Sequence, residues 1–123
     1  MPMNMRTGVA LLRLPLSLAF AADVSGKWSG TFRATGADHD IPQLFILKQD
    51  GMGLHGSGGP DATEQYPIEN AHIDGDKVTF ELTTGEWKFS YRLKVSGGQI
   101  TGDLDLKSEN SGRTAKVFLR RIE

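Results

Sequence analysis

Asp38, His39 and Asp40 bring three potential metal ligands into one short stretch. In an extended loop, however, adjacent side chains point apart, and no second His-rich element accompanies them. Solvated turn residues account for them better than a metal site. Asp74-Gly75-Asp76 has the opening spacing of a calcium loop, yet Gly85 stands at position twelve, where such a loop needs Glu. Gly51-x-Gly53-x-x-Gly56 has the spacing of a dinucleotide fingerprint, which works only between a strand and a helix; these glycines fall in a hairpin and its return strand. His55 and His72 lie in expected strands. His72 shares a face with Tyr66, Ile68 and Asn70, or the opposite parity holds and Pro67, Glu69, Ala71 and Ile73 point inward. A hydrogen-bonded structural histidine is the expected role. Asp103 and Asp105 sit with Thr101 on an outer face, not facing each other as two-carboxylate hydrolysis needs. The chain has no cysteine, which removes thiol catalysis and thiolate-bound metals. No Ser–His–Asp set can be assembled from spacing. The expectation is a protein that is not an enzyme and uses no cofactor or metal.

The aromatic residues are more informative. Trp87 and Tyr66 each begin a strand, and Tyr91 follows Trp87 on the same face. Rings with a polar tip suit a surface that is dry on one side and wet on the other. Asp61, Glu64 and Gln65 flank them from one loop and His39 from another. A ligand platform of Trp87, Tyr66 and Tyr91 with these polar neighbours is one reading. The other is ordinary core, filled together with Trp28, Phe32, Phe80 and Phe89.

The elements that position these residues are strands. From Val24 onward there is no convincing amphipathic helix, and short alternating runs lie between the glycines, of which the whole chain has 15. In Trp87-Lys88-Phe89-Ser90-Tyr91-Arg92-Leu93-Lys94-Val95 every odd position is apolar and every even one polar, the period of a strand. Val78 to Leu82, Ile100 to Leu106 and Trp28 to Arg33 alternate in the same way, and Ala115 to Arg120 does so less cleanly because of Phe118. Further strands are expected near 43–49, 52–58 and 66–73. Leu44-Phe45-Ile46-Leu47 is apolar on both faces: it is either covered on the outside or part of a contact surface, in which case Phe45 and Leu47 are expected to form an exposed patch. Asp50-Gly51, Asp74-Gly75 and Gly97-Gly98 are hairpin signals of the type I′ kind, with Thr84-Gly85 a weaker fourth.

Consecutive hairpins make a meander, and eight amphipathic strands hide one face and both edges by closing. The expected fold is an all-β, eight-stranded antiparallel up-and-down barrel, with a two-sheet β-sandwich as the alternative. Its tight turns fall at one end. Long connections at 34–42, 59–65 and 107–113 fall at the other, which becomes the looped mouth. Gly51-x-x-Leu54-x-Gly56 recurs as Gly97-x-x-Ile100-x-Gly102, where the last glycine of each is expected to leave room for a bulky neighbour.

Gly26-Lys27-Trp28, opening the first strand of a meander barrel, resembles the G-x-W element of the calycins, the lipocalin and avidin type of barrel. The resemblance implies that Trp28 packs at the closed end beside a basic residue of the last strand, Arg120 or Arg121. It brings no ligand, since no biotin-site residues and no further lipocalin motifs accompany it. Lys48 to Gly51, Gly56 to Pro60 and Asp74 to Phe80 are also similar to stretches of uncharacterised domains in exported bacterial proteins. That likeness implies fold and export but no activity.

The first 22 residues read as a signal peptide. A basic start at 1–6 precedes an apolar run at 7–22, and Ala19-Phe20-Ala21 supplies the small residues a signal peptidase needs. Arg13 within the run opposes that reading. The run is too short for a comfortable permanent span. Cleavage after Ala21 or Ala22 would leave 23–123 as a single barrel domain with no stable membrane span. Loss of Arg6 and Arg13 from 14 basic residues against 15 acidic ones leaves it mildly acidic, which argues against nucleic acid. The expected function is that of an exported, periplasmic or extracellular, non-catalytic binding domain. It would hold a small molecule, a glycan or another short polymer segment at the looped mouth. The alternative is a protein-interaction, inhibitor or accessory module that uses its loops or the Leu44–Leu47 strand.

Overall fold

A computed structural model describes residues 23–123; the expected leader at 1–22 lies outside them. The chain forms β1 (Gly26–Ala34), β2 (Ile41–Asp50), β3 (Gly53–Asp61), β4 (Glu64–Pro67), β5 (Glu69–Asp74), β6 (Lys77–Thr84), β7 (Trp87–Ser96), β8 (Gln99–Lys107) and β9 (Gly112–Arg121). All pairings are antiparallel. The strands form one 9-stranded sheet in the order β4-β3-β2-β1-β9-β8-β7-β6-β5. First and last long strands pair, with Phe32 opposite Val117 and Gly30 opposite Leu119. The nominal edges, β4 and β5, are consecutive in the chain and meet at Ile68, whose N–H donates to the carbonyl of Gly56 at 3.0 Å. The sheet is therefore an up-and-down barrel, nearly closed.

The expected fourth strand, 66–73, is bent into β4 and β5, which makes nine strands where eight were expected. Just past the break, within β5, Asn70 has φ of 52°, a left-handed conformation that Asn tolerates better than most residues. The register with β6 slips between Glu69 and His72. A slip of this kind exchanges faces. Tyr66 and Ile68 pack on the core before it, Ala71 and Ile73 after it. Neither expected parity holds along the whole stretch. His72 is exposed and makes no internal hydrogen bond among the described residues, which corrects its assignment as a bonded structural histidine.

Gly51, Gly75, Gly85 and Gly97 are the first central residues of tight turns and carry φ between 57° and 66°. The second central residues have no positive φ. This is the type II′ arrangement, not I′; Asp50 and Asp74 end strands and do not occupy the turns. The turns at 51–52, 75–76 and 97–98 share one end, as the turn count predicts. The other end carries connections at 35–40, 62–63, 85–86 and 108–111. The expected long loop at 59–65 is instead a tight turn, because β3 continues through Gly58-Gly59-Pro60-Asp61. Gly58 lies directly beneath the Phe45 ring, where a Cβ would collide with it. At Gly56 and Gly102 a Cβ would strike the carbonyl of Ile46 or Arg92 on the next strand. Those two glycines permit close backbone approach rather than room for a bulky side chain.

Inward residues fill the closed end. Trp28, Phe45, Phe80, Tyr91, Ile100, Leu104 and Leu119 are each at most 1% exposed. Phe45, Phe80 and Tyr91 form an aromatic triad with centroids 5.1–5.4 Å apart, a spacing that favours tilted and edge-on contact. The Trp28 indole N–H donates to the Val24 carbonyl at 3.0 Å. The Arg121 guanidinium lies 4.4 Å from the Trp28 ring centroid and donates to the carbonyls of Ser25 and Asp23. The basic partner implied for Trp28 is Arg121, while Arg120 points outward over Phe118. Phe45 and Leu47 are buried, which corrects their expected place on an exposed patch; the outward members of that run are Leu44 and Ile46.

Candidate functional site

The inward face that is sealed at one end is unsealed at the other. Along β7 the inward residues run from half-buried Trp87 and Phe89 to buried Tyr91, Leu93 and Val95. On β8, Leu106 is half-buried where Leu104 is fully covered. Ile41, at the start of β2, is 36% exposed. Apolar side chains left uncovered at a barrel mouth suit a ligand. They line a cavity of about 460 Å³ formed by Phe32, Ala34, Ala37, Ile41, Trp87, Phe89 and Leu106, with His39, Ser111 and Arg113 as its polar members. The loop at 35–40 is fixed over this mouth by an Arg33–Asp40 ion pair at 2.8 Å. His39 is turned toward Asp38, Nδ1 to carboxylate 2.9 Å.

A second cleft of about 200 Å³ opens through the barrel wall. Its origin is the bend at Ile68. β5 pairs with β6 only as far as Glu81, and β4 pairs only with β3. Leu82 and Thr84 of β6 therefore face Glu64 and Tyr66 of β4 across a slit. Phe32, Ile41 and Phe89 line both the mouth and this cleft. Its floor is Tyr91 and Gln43. The Tyr91 hydroxyl donates to Gln43 Oε1 at 2.6 Å, and burial pushes its pKa up. Tyr66 donates its hydroxyl to Glu64 at 2.6 Å, and that bond to a carboxylate raises the phenol's pKa.

The seven residues expected at the site are thus divided. Trp87 and His39 line the mouth, and Tyr66, Tyr91 and Glu64 line the side cleft. Asp61 and Gln65 line neither. Asp61 accepts from the Thr63 hydroxyl, the Thr63 N–H and the Glu64 N–H, and the Thr63 bonds hold its carboxyl below the usual range. Gln65 binds Ser57 and the carbonyls of Leu44 and Asp61. Both fasten the β3–β4 turn. Asp103 and Asp105 lie on the outer face, paired with Lys116 and Arg92 at 2.6 and 2.7 Å.

Sequence reasoning missed Gln43, Arg113, and the inward ends of β1 and β8. Gln43 shares the parity of Phe45 and Leu47, but the run at 44–47 is apolar on both faces and did not show which face is inward. Among the described residues no cluster of three or more His, Asp or Glu is placed to hold a metal ion, and no helix is long and apolar enough to cross a membrane.

Fold and cavities together define a small antiparallel β-barrel, packed shut at one end and open at the other. Comparison of the chain with protein-family models, with curated proteins and with solved structures finds no match.

Proposed function

We propose that this protein is an exported, non-catalytic binding domain that holds a small, largely apolar molecule at the open mouth of its barrel. The observation that carries the reading is the unsealed aromatic wall of Phe32, Trp87 and Phe89 around a cavity of about 460 Å³, a volume within the range of small-molecule sites. Export rests on the basic start, apolar run and small-residue step at 1–22. A calycin-like relationship is supported by Gly26-Lys27-Trp28 together with Arg121 stacked on the indole.

The test is equilibrium binding of N-phenyl-1-naphthylamine, a neutral apolar fluorophore, to residues 23–123. Saturable binding is expected, weakened about tenfold or more by Trp87→Ala, since tenfold needs only 1.4 kcal/mol of lost contact. Absence of binding, or binding indifferent to Trp87, would overturn the mouth as the site.

A protein-interaction role is the second reading. Ile46 and Phe118 are 37% and 39% exposed on the outer face, and Pro42 and Leu44 lie near them across β2 and β1. Phe118→Ser would impair such a role and leave fluorophore binding intact.

A further inference from the structure

Gln43 is the one buried polar side chain in the core of the described residues, 6% exposed on a face otherwise built from Trp28, Phe45, Leu47 and their neighbours. A polar group buried this way costs free energy unless its bonding capacity is used. Half of that capacity is used inside the protein. Gln43 Oε1 accepts from Tyr91, and Gln43 Nε2 donates to the adjacent Pro42 carbonyl at 3.2 Å. The second amide proton has no partner among the described residues, nor do the acceptor lone pairs of the Tyr91 oxygen. Both groups border the side cleft, and the cleft shares Phe32, Ile41 and Phe89 with the mouth. A ligand that reaches into the cleft along those three side chains would have a donor and an acceptor at its floor.

We infer that the Tyr91–Gln43 pair is the specificity determinant of the barrel, reading a neutral hydrogen-bonding group, such as a hydroxyl, carbonyl or amide, on an otherwise apolar ligand. The inference rests on the mouth-binding reading and names the ligand class for it. Neutrality follows from the surroundings. No charged side chain lies on the floor, where an ionised group would lose its hydration without a counter-charge. The charged side chain lining the cleft is Glu64, which repels an anion. The buried phenol of Tyr91, with its raised pKa, reports the same dry setting. Sites that hydrogen-bond a ligand hydroxyl reject analogues lacking it more sharply than apolar pockets reject a change of size.

Displacement of N-phenyl-1-naphthylamine by 2-naphthol, naphthalene and 2-naphthoate tests this. 2-Naphthol is expected to displace the fluorophore about tenfold better than either of the others. Water favours 2-naphthol over naphthalene, so partition alone predicts the opposite order. Tyr91→Phe alone strands the Gln43 amide and can unfold the chain, so the deciding variant is Tyr91→Phe with Gln43→Leu. Removing both partners is close to neutral for stability, and a thermal melt checks this. In the double variant the preference for 2-naphthol over naphthalene should fall to parity or reverse, while 2-naphthoate stays the weakest. A preference absent from the native protein, or unchanged in the double variant, overturns the inference while fluorophore binding that depends on Trp87 leaves the mouth standing. Failure of every compound, the fluorophore included, overturns both.

Discussion

The two ends of this barrel are made from the same strands and the same period-two pattern, yet only one is packed. At the closed end, Val24 and Trp28 are drawn under the strands, and the last strand delivers Arg121 across the indole. Ile100 and Leu119 fill the remaining space and are at most 1% exposed. At the mouth, the final inward residue of each strand has the right chemistry but nothing above it. Ala34, Ile41, Trp87 and Leu106 surround a space, and His39 and Arg113 stand at it. Alternation decides which side chains face the lumen. Whether that lumen is core or site depends on whether the chain supplies a plug, and here it supplies one.

Replacing the plug should have the largest effect. Trp28→Ala is expected to cost about 3–5 kcal/mol, measured by denaturant unfolding. A neutral result would mean that the closed end is not packed as described. Gly58→Ala should come next, at about 1–3 kcal/mol, because its methyl would drive against the Phe45 ring. Arg121→Gln removes the stacked cation and its bonds to the Ser25 and Asp23 carbonyls and should cost about 1–2 kcal/mol. At the mouth, Trp87→Ala should change stability by about 1 kcal/mol or less while abolishing most ligand binding. A loss as large as that of Trp28→Ala would erase the difference between the ends.

The smallest effect belongs to the outer face. The hydrogen bond and charge of Lys116 hold the Asp103 carboxyl below its usual value of 3.8. A depressed folded-state value adds stability above 3.8, and that stability is lost as pH falls through the folded-state value. Melting points taken from neutrality down past 3.8 should drop slightly more steeply for the native protein than for Lys116→Ala. Equal slopes would show that solvent screens the pair completely.

Much of this was legible in the residues. The odd-numbered run from Trp87 to Val95 lies inward as its alternation requires, and glycine-marked hairpins order the meander. Gly26-Lys27-Trp28 pointed to a plug with a basic partner, and the register of β1 with β9 selected Arg121 by setting it opposite Trp28. The bend at Ile68 was not legible. Nor was the positive φ of Asn70, which Asn permits but does not demand, and with it the inversion of faces around His72. Gly58-Gly59-Pro60 reads as a strand breaker, yet the strand continues, with the Phe45 ring seated on Gly58 and the backbone of Glu64 packed against Gly59. The role of Gln43 was hidden because Leu44 to Leu47 is apolar on both faces, so parity there is ambiguous until a partner strand fixes it. The side cleft is a consequence of that same bend, and its residues are scattered over six strands.

The most direct test uses the two tryptophans, one at each end. Each indole N–H gives its own proton–nitrogen NMR signal. Trp28 donates to the Val24 carbonyl inside the closed end, while Trp87 borders the mouth. On titration with N-phenyl-1-naphthylamine, the account predicts a saturable shift of the Trp87 signal and a stationary Trp28 signal. Movement of Trp28 with Trp87 unmoved would contradict it.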